Sequence, residues 1–97
     1  MENLALLALL HAKPGKEAEV EAFLKSALPL AQAETATIKW YAFSLGGGHF
    51  GVFDTFADEA GRQAHLTGDI AKALMAKAPD LFDTPPSIQT PTILAAK

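Results

Sequence analysis

A short run of leucine and alanine near the start of the chain, NLALLALLHA, most constrains what the protein can fold into. Pro14 and Gly15 end the run abruptly, and its brevity favours a β-strand over a helix. Side chains alternate along a strand, and here both sides are apolar: Leu4, Leu6, Ala8 and Leu10 on one, Ala5, Leu7 and Leu9 on the other. Such a strand must be covered on both faces of its sheet.

Helical and strand-like patterns follow this first strand. From Lys16, apolar residues three and four positions apart predict a helix, and Pro29 should kink it or end it early. Two strand-like runs come next, TIKWYAFSL (37–45) and HFGVFDTF (49–56). The glycines at 46–48 lie between them and can adopt positive φ, which predicts a β-hairpin.

The second half of the chain repeats the helix-then-strand pattern. Asp58 is a natural N-cap for a helix over EAGRQAHL that should stop at Gly68. Asp69 is expected to cap a second helical piece, IAKALMAKA, that Pro79 should halt. A last strand-like run, SIQTPTILAA, contains Pro91, which favours a position at the sheet edge.

The resulting order, β-α-β-β-α-β, predicts one domain over residues 1–97 with a ferredoxin-like α+β fold, an antiparallel sheet with two helices on one face. Helices on one face leave the other face uncovered, although the first strand is apolar on both sides and Trp40 and Tyr41 point to opposite sides. A second copy of the chain, packed sheet against sheet in a two-fold homodimer, would cover that face. The alternative is a monomer with an unusually apolar sheet.

Composition excludes several classes of function. The formal net charge of −3 provides no basic surface for phosphates, so we expect no nucleic-acid partner. The chain has no cysteine, which excludes disulfides, thiolate nucleophiles and zinc–thiolate sites, and no histidine or carboxylate spacing indicates a metal. The apolar run at 4–10 is too short to span a membrane and lacks a cleavage site, so we expect a cytoplasmic protein without membrane contact.

Three segments, KPGKEAEVEAFL, WYAF and FGVFDTFADEAGRQAHL, resemble the antibiotic biosynthesis monooxygenase (ABM) family of dimeric α+β barrels. The resemblance covers essentially the whole chain and implies a homodimer with a cavity between sheet and helices in each subunit. Members include cofactor-free oxygenases of quinols or phenolic polyketides, haem-degrading relatives, isomerases and proteins without known activity. Asp69 and Ile70 stand where haem-degrading relatives would be expected to have a histidine, which disfavours haem degradation.

The candidate site residues each have a functional and a structural interpretation. His65 could take a proton from a phenol, or it could serve the C-terminal end of its helix. Asp54 shares an apolar strand face, where an unpaired anion is costly. It is therefore either solvated near the strand end or paired, with Arg62 or His65 as the expected partner. Trp40 is either core or a stacking surface for a planar ligand. His11 and His49 are predicted to be solvent-facing turn residues.

The resemblance and these residues together predict a cofactor-independent monooxygenase of a small phenol or quinol. His65 would be the catalytic base, because phenol oxidation without a cofactor begins by forming the phenolate. An electron-rich phenolate can itself pass an electron to oxygen, so no flavin or metal is expected. The predicted substrate-binding residues are Trp40, Tyr41, Phe53, Asp54 and Arg62. The alternative is a non-catalytic module that binds a small apolar or aromatic ligand.

Overall fold

The computed structural model describes residues 1–97 as a four-stranded antiparallel sheet with helices on one face. The strands are β1 (Leu4–His11), β2 (Thr37–Gly46), β3 (His49–Phe56) and β4 (Ser87–Gln89). The helices are α1 (Glu17–Ser26), α2 (Leu28–Ala33), α3 (Glu59–Leu66) and α4 (Asp69–Leu81). The sheet order is β2-β3-β1-β4, which confirms the predicted ferredoxin-like plan.

The central pair of the sheet, β1 and β3, is antiparallel along its whole length, from Leu4 opposite Phe56 to His11 opposite His49. Its helix-facing side provides the centre of the core. There Leu10 and Phe50 pack with buried side chains of α1 and of the end of α4. The buried members of this cluster are Leu10, Ala12, Val20, Leu24, Phe50, Leu81 and Phe82.

Each predicted helical region is broken into two helices, as the sequence indicates. The first breaks at Ala27, and Pro29 lies in the first turn of α2, where a missing N–H costs no helical hydrogen bond. The second breaks between α3 and α4 at Thr67 and Gly68. Asp58 caps α3 as predicted, because its Oδ1 accepts a hydrogen bond of 2.9 Å from the backbone N–H of Gly61.

The prediction that Pro79 halts the last helix is wrong, since α4 continues through it to Leu81. Pro79 removes only the hydrogen bond to the carbonyl of Met75, at an exposed position where water can reach that oxygen. Leu81 and Phe82 are buried in the core and hold the final turn in place, and the N–H of Phe82 donates to the carbonyl of Ala78. Tertiary packing therefore outweighs the local effect of the proline.

The C-terminal strand is shorter than its sequence pattern suggests, because only Ser87–Gln89 is regular. Pro91 interrupts the ladder, but its carbonyl accepts a hydrogen bond of 3.0 Å from the N–H of Ala5, and the N–H of Ile93 donates to the carbonyl of Asn3. The segment thus follows β1 at the sheet edge, and the predicted edge position of Pro91 is confirmed.

The predicted hairpin joins β2 to β3 through Gly47 and Gly48, whose φ values are 61° and 82°. Positive φ at both central residues is the pattern of a type I′ turn, which matches the twist of the flanking strands.

The face of the sheet away from the helices is apolar and uncovered in the single chain; we call it the open face. Across it, Leu7, Phe53 and Tyr41 align on neighbouring strands β1, β3 and β2. Tyr41 is 55% exposed. None of the helices combines the length and apolarity needed to cross a membrane.

Replacing Asp58 by alanine tests the cap of α3. Losing a capping oxygen of this kind costs about 1 kcal/mol, so we expect Asp58→Ala to lower the free energy of unfolding by that amount in urea denaturation. Asp58→Asn keeps an acceptor oxygen and should unfold at nearly the wild-type midpoint. Equal midpoints for the two variants would contradict the capping role.

Candidate functional site

Three ionisable side chains, Glu34, Asp54 and His65, meet between the sheet and the helices; we call them the charged triad. His65 lies in the middle, with Nδ1 2.6 Å from Glu34 Oε1 and Nε2 2.8 Å from Asp54 Oδ2. The side chains of Asp54 and His65 are only 1% and 9% exposed. A buried histidine thus bridges two carboxylates.

Three separate elements position the triad. Asp54 lies on the helix-facing side of β3, His65 is in the last turn of α3, and Glu34 is the C-cap residue directly after α2. Thr37 Oγ1 donates a hydrogen bond of 2.7 Å to the same Glu34 oxygen that His65 contacts. The ring of Phe56 packs against the imidazole, with 5.5 Å between ring centroids. The histidine is therefore held by contacts on several sides.

The environment of His65 determines its protonation state. Burial by itself lowers the pKa, but hydrogen bonds and charge from Asp54 and Glu34 outweigh burial and raise the pKa of His65 to about 9. The side chain is therefore an imidazolium at neutral pH. An imidazolium has N–H groups on both nitrogens and no free lone pair, so in this state it donates hydrogen bonds and cannot accept a proton.

A cavity of about 60 Å³, the inner cavity, lies beside the triad between sheet and helices. Asp54 and His65 are its only ionisable lining residues, and most of the others are aliphatic, such as Leu6, Ile70 and Leu74. The triad thus presents charge to an otherwise apolar space.

A larger depression of about 400 Å³, the outer groove, opens between β2 and helices α1 and α2. Its lining includes the aromatic residues Trp40 and Phe50 on the helix-facing side of the sheet. Leu24 and Trp40 line both the outer groove and the inner cavity. These two side chains therefore separate the two spaces.

Buried polar atoms without a hydrogen-bond partner cluster around this site. They are Glu34 Oε2, Trp40 Nε1 and the carboxylate oxygens of Asp54, of which Oδ2 still forms the close ion pair with His65. Asp54 Oδ1 has neither a hydrogen bond nor an ion pair.

The structure brings three of the predicted site residues together at the inner cavity, namely Trp40, Asp54 and His65. Asp54 pairs with His65, one of the two partners that the sequence offered. Tyr41 and Phe53 lie on the open face instead. None of these open-face residues lines the inner cavity, and their predicted part in substrate binding stays a prediction.

Arg62, the other expected partner of Asp54, is directed elsewhere. Its Nη1 donates to the carbonyls of Ala5 and Pro91, and its other nitrogens pair with Glu59. Arg62 is 9% exposed and joins α3 to β1 and to the C-terminal edge of the sheet. Its predicted contact with substrate likewise stays a prediction.

Glu34 is the member of the triad that the sequence does not reveal. It lies 31 positions from His65 in the chain, in a short connection between α2 and β2, and no local motif marks it. Only the paths of α2 and α3 over the sheet bring the two together. A carboxylate between a helix and a strand has no sequence signal beyond its polarity.

The other two histidines form a separate contact at the hairpin end of the sheet. The rings of His11 and His49 stack with 4.2 Å between centroids, and His11 Nδ1 is 2.5 Å from Asp83 Oδ2. No group of three or more histidine and carboxylate side chains has an arrangement that could hold a metal ion.

Comparison with solved structures relates this architecture to known proteins. The chain matches NE2512, a protein of unknown function from Nitrosomonas europaea, at 59% identity and a TM-score of 0.98, over 100% of this chain and 94% of that one. The chain belongs to the same protein family as NE2512.

More distant matches establish the fold. An antibiotic biosynthesis monooxygenase matches at 15% identity and a TM-score of 0.81, over 95% of this chain and 99% of that one. A protein from Caulobacter crescentus CB15, named as a candidate antibiotic biosynthesis monooxygenase, matches at 21% identity and a TM-score of 0.79. The match covers 97% of this chain and 92% of that one. The chain has the ABM fold, which confirms the predicted resemblance at the level of the fold. No protein-family model and no curated protein matches it.

The raised pKa of His65 should make stability depend on pH. The pKa is about 9 in the folded chain and about 6.5 in the unfolded chain. The stabilisation is therefore complete below about pH 6.5 and is lost as the pH rises through about 9. By linkage this difference amounts to about 3 kcal/mol in the free energy of unfolding, measurable by urea denaturation from about pH 6 to about pH 10.

Titration of the His65 ring by nuclear magnetic resonance measures the same effect directly. Glu34→Gln removes one of the two carboxylates and should lower the pKa of His65, while His49→Ala leaves the triad intact and should not change it. A wild-type His65 that titrated near its ordinary value of about 6.5 would contradict the arrangement.

Proposed function

We propose that this protein is a cofactor-independent monooxygenase that acts on a small phenolic or quinol substrate. The observation that carries the proposal is the Asp54–His65 ion pair, which faces an otherwise apolar cavity. Strongly perturbed ionisable groups in a cavity are typical of catalytic sites. Proteins of the same fold that are named as antibiotic biosynthesis monooxygenases add support.

The reaction begins with removal of the proton from the phenolic hydroxyl. The phenolate transfers one electron to dioxygen, and recombination of the two forms a carbon–oxygen bond on the ring. Cleavage of the O–O bond then leaves one oxygen atom on the ring as a carbonyl. The other oxygen leaves as water with the two hydrogens from the hydroxyl and from the ring carbon, so the products are a quinone and water.

Asp54 and His65 act together in removing the proton from the substrate hydroxyl. At neutral pH His65 is already protonated, so the free Oδ1 of Asp54 is the group that accepts the substrate proton. The imidazolium keeps Oδ2 in place and stabilises the negative charge that develops on the substrate oxygen. His65 itself can act as a base only after it loses a proton, above about pH 9.

A non-catalytic ligand-binding module is the second candidate function. Pockets for small molecules usually measure about 300–1,000 Å³. The inner cavity, at about 60 Å³, is well below this range, whereas the outer groove, at about 400 Å³, is within it. A ligand that occupied only the outer groove would lie against Trp40 without reaching Asp54.

Oxygen uptake with a panel of hydroquinones distinguishes the two functions. General-base assistance contributes about 10²–10⁴-fold. We therefore expect the rate to fall by about 10²-fold or more in Asp54→Asn, which removes the base. A similar loss is expected in His65→Ala, which removes the cation that holds Asp54 and stabilises the substrate anion. His49→Ala removes a histidine remote from the cavity and should retain the wild-type rate. A loss of less than about threefold in His65→Ala would remove His65 from the mechanism, and no uptake by the wild type would favour the binding module.

We also propose that the protein is a homodimer formed through the open face. The row of Leu7, Phe53 and Tyr41 would be an exposed apolar patch in a monomer. Patches of this kind on small proteins usually mark an interface. A two-fold pairing of identical faces would cover both patches at once.

Analytical ultracentrifugation tests the dimer. The wild type should sediment at twice the chain mass of 10.2 kDa. Tyr41→Lys places a charge in the middle of the open face and should shift the protein to a single-chain mass. Met75→Lys is the matched control, because Met75 is similarly exposed, at 59% against 55%, but lies on α4. A wild type of single-chain mass would contradict the proposal.

A further inference from the structure

Two buried polar atoms without partners belong to neighbouring residues on one wall of the inner cavity. They are Trp40 Nε1, which can only donate a hydrogen bond, and Asp54 Oδ1, an acceptor. Trp40 and Asp54 are directly opposite each other in the antiparallel pair of β2 and β3. Their Cβ atoms are therefore about 4.5–5.5 Å apart, so the two side chains are neighbours on the helix-facing side of the sheet.

Buried polar groups in proteins nearly always have a hydrogen-bond partner. Here Asp54 is 1% exposed, and the indole N–H beside it is equally inaccessible to bulk water. Both residues line the same cavity. A donor and an acceptor that are both unpaired at one wall indicate a ligand group that can satisfy both of them.

We propose that Trp40 Nε1 and Asp54 Oδ1 form a subsite for the hydroxyl group of a neutral phenol, an inference that rests on the proposed function. The hydroxyl donates a hydrogen bond to Asp54 Oδ1 and accepts one from the indole N–H. A hydroxyl can do both at one oxygen. A carboxylate has no proton for Asp54 and is repelled by its charge, so the subsite selects phenols over aromatic acids.

The sizes of the two spaces determine how the ligand lies. An engineered cavity that holds benzene measures about 150 Å³, so the inner cavity of about 60 Å³ admits only the hydroxyl end. The ring then lies in the outer groove of about 400 Å³, against the indole of Trp40. Leu24 lines both spaces, so this binding mode requires its side chain to change conformation and let the hydroxyl through.

The outer groove has no free charge for an acidic substituent. Its two charged residues are Glu21 and Lys25, whose carboxylate and ammonium groups lie 3.1 Å apart as an ion pair. The remaining walls are mainly apolar and aromatic. The groove thus agrees with the subsite in favouring an uncharged ligand.

Binding can be measured without turnover because Trp40 is the only tryptophan in the chain. Its fluorescence should respond to saturation with 4-methylphenol in deoxygenated buffer. Toluene lacks the hydroxyl, and 4-methylbenzoate replaces it with a carboxylate. We expect the dissociation constant of 4-methylphenol to be lower than that of either analogue by about tenfold or more, since a site built for a hydroxyl rejects ligands without one.

Two variants test the two atoms separately by isothermal titration calorimetry. Trp40→Phe keeps an aromatic ring but removes the N–H, and it should weaken 4-methylphenol binding about tenfold while leaving toluene nearly unchanged. Asp54→Asn removes the charge and should reduce the discrimination against 4-methylbenzoate. His49→Ala is the control with wild-type affinities, and circular dichroism confirms that each variant is folded.

The outcomes separate this inference from the proposed reaction. Equal affinities for 4-methylphenol and toluene, or an unchanged affinity in Trp40→Phe, would overturn the subsite. Preferential binding of the phenol without oxygen uptake would support the subsite and overturn the monooxygenase. Oxygen uptake by a protein without hydroxyl preference would overturn the subsite alone.

Discussion

The register between β1 and β3 is the constraint on which the rest of the structure depends. It sets Leu6 opposite Asp54 and Leu7 opposite Phe53, and so decides which side chains face the helices. A slip of one residue would exchange the two faces of a strand. Asp54 would then leave the cavity wall, and Phe53 or Thr55 would take its position. The pairing of the strands alone therefore determines where Asp54 lies, independently of the helices.

Because Asp54 is buried in that wall, the stability of the folded protein depends on the positive charge of His65. Removing one partner of a buried ion pair typically costs about 3–5 kcal/mol, because the remaining charge is left unpaired. His65 provides the opposite charge, and Glu34 holds the second nitrogen of the imidazolium. The same contacts that stabilise the folded chain keep the histidine protonated at neutral pH. Stability and protonation at this site consequently have one physical origin.

Local patterns predict much of the fold, but only part of the site. The short apolar run of β1, the three glycines of the hairpin and the Asp58 cap are short-range signals, and the structure contains each of them. The end of α4 could not be predicted, because burial of Leu81 in the core outweighs the proline two residues before it.

Long-range geometry explains what the sequence leaves open at the site. Asp54 had two plausible partners, and only the direction of Arg62 toward the sheet edge decides between them. Glu34 has no local signal, and the volume of the inner cavity depends on how side chains from both halves of the chain pack. Contacts between distant segments are the information that periodicity and capping rules do not contain.

Because of the hydrogen bonds of Arg62, the wall of the site formed by α3 is more rigid than the wall formed by α1. Arg62 and His65 are one turn apart on α3, so this short helix is anchored to the backbone of β1 at one point and to the triad at the other. Two anchors on so short a helix resist both sliding and rotation along the sheet. The first helix has no comparable polar tether at Leu24, which meets the cavity through apolar contacts. Adaptation to ligands of different shape is consequently a property of α1, while β3 and α3 hold the Asp54–His65 pair in a fixed position.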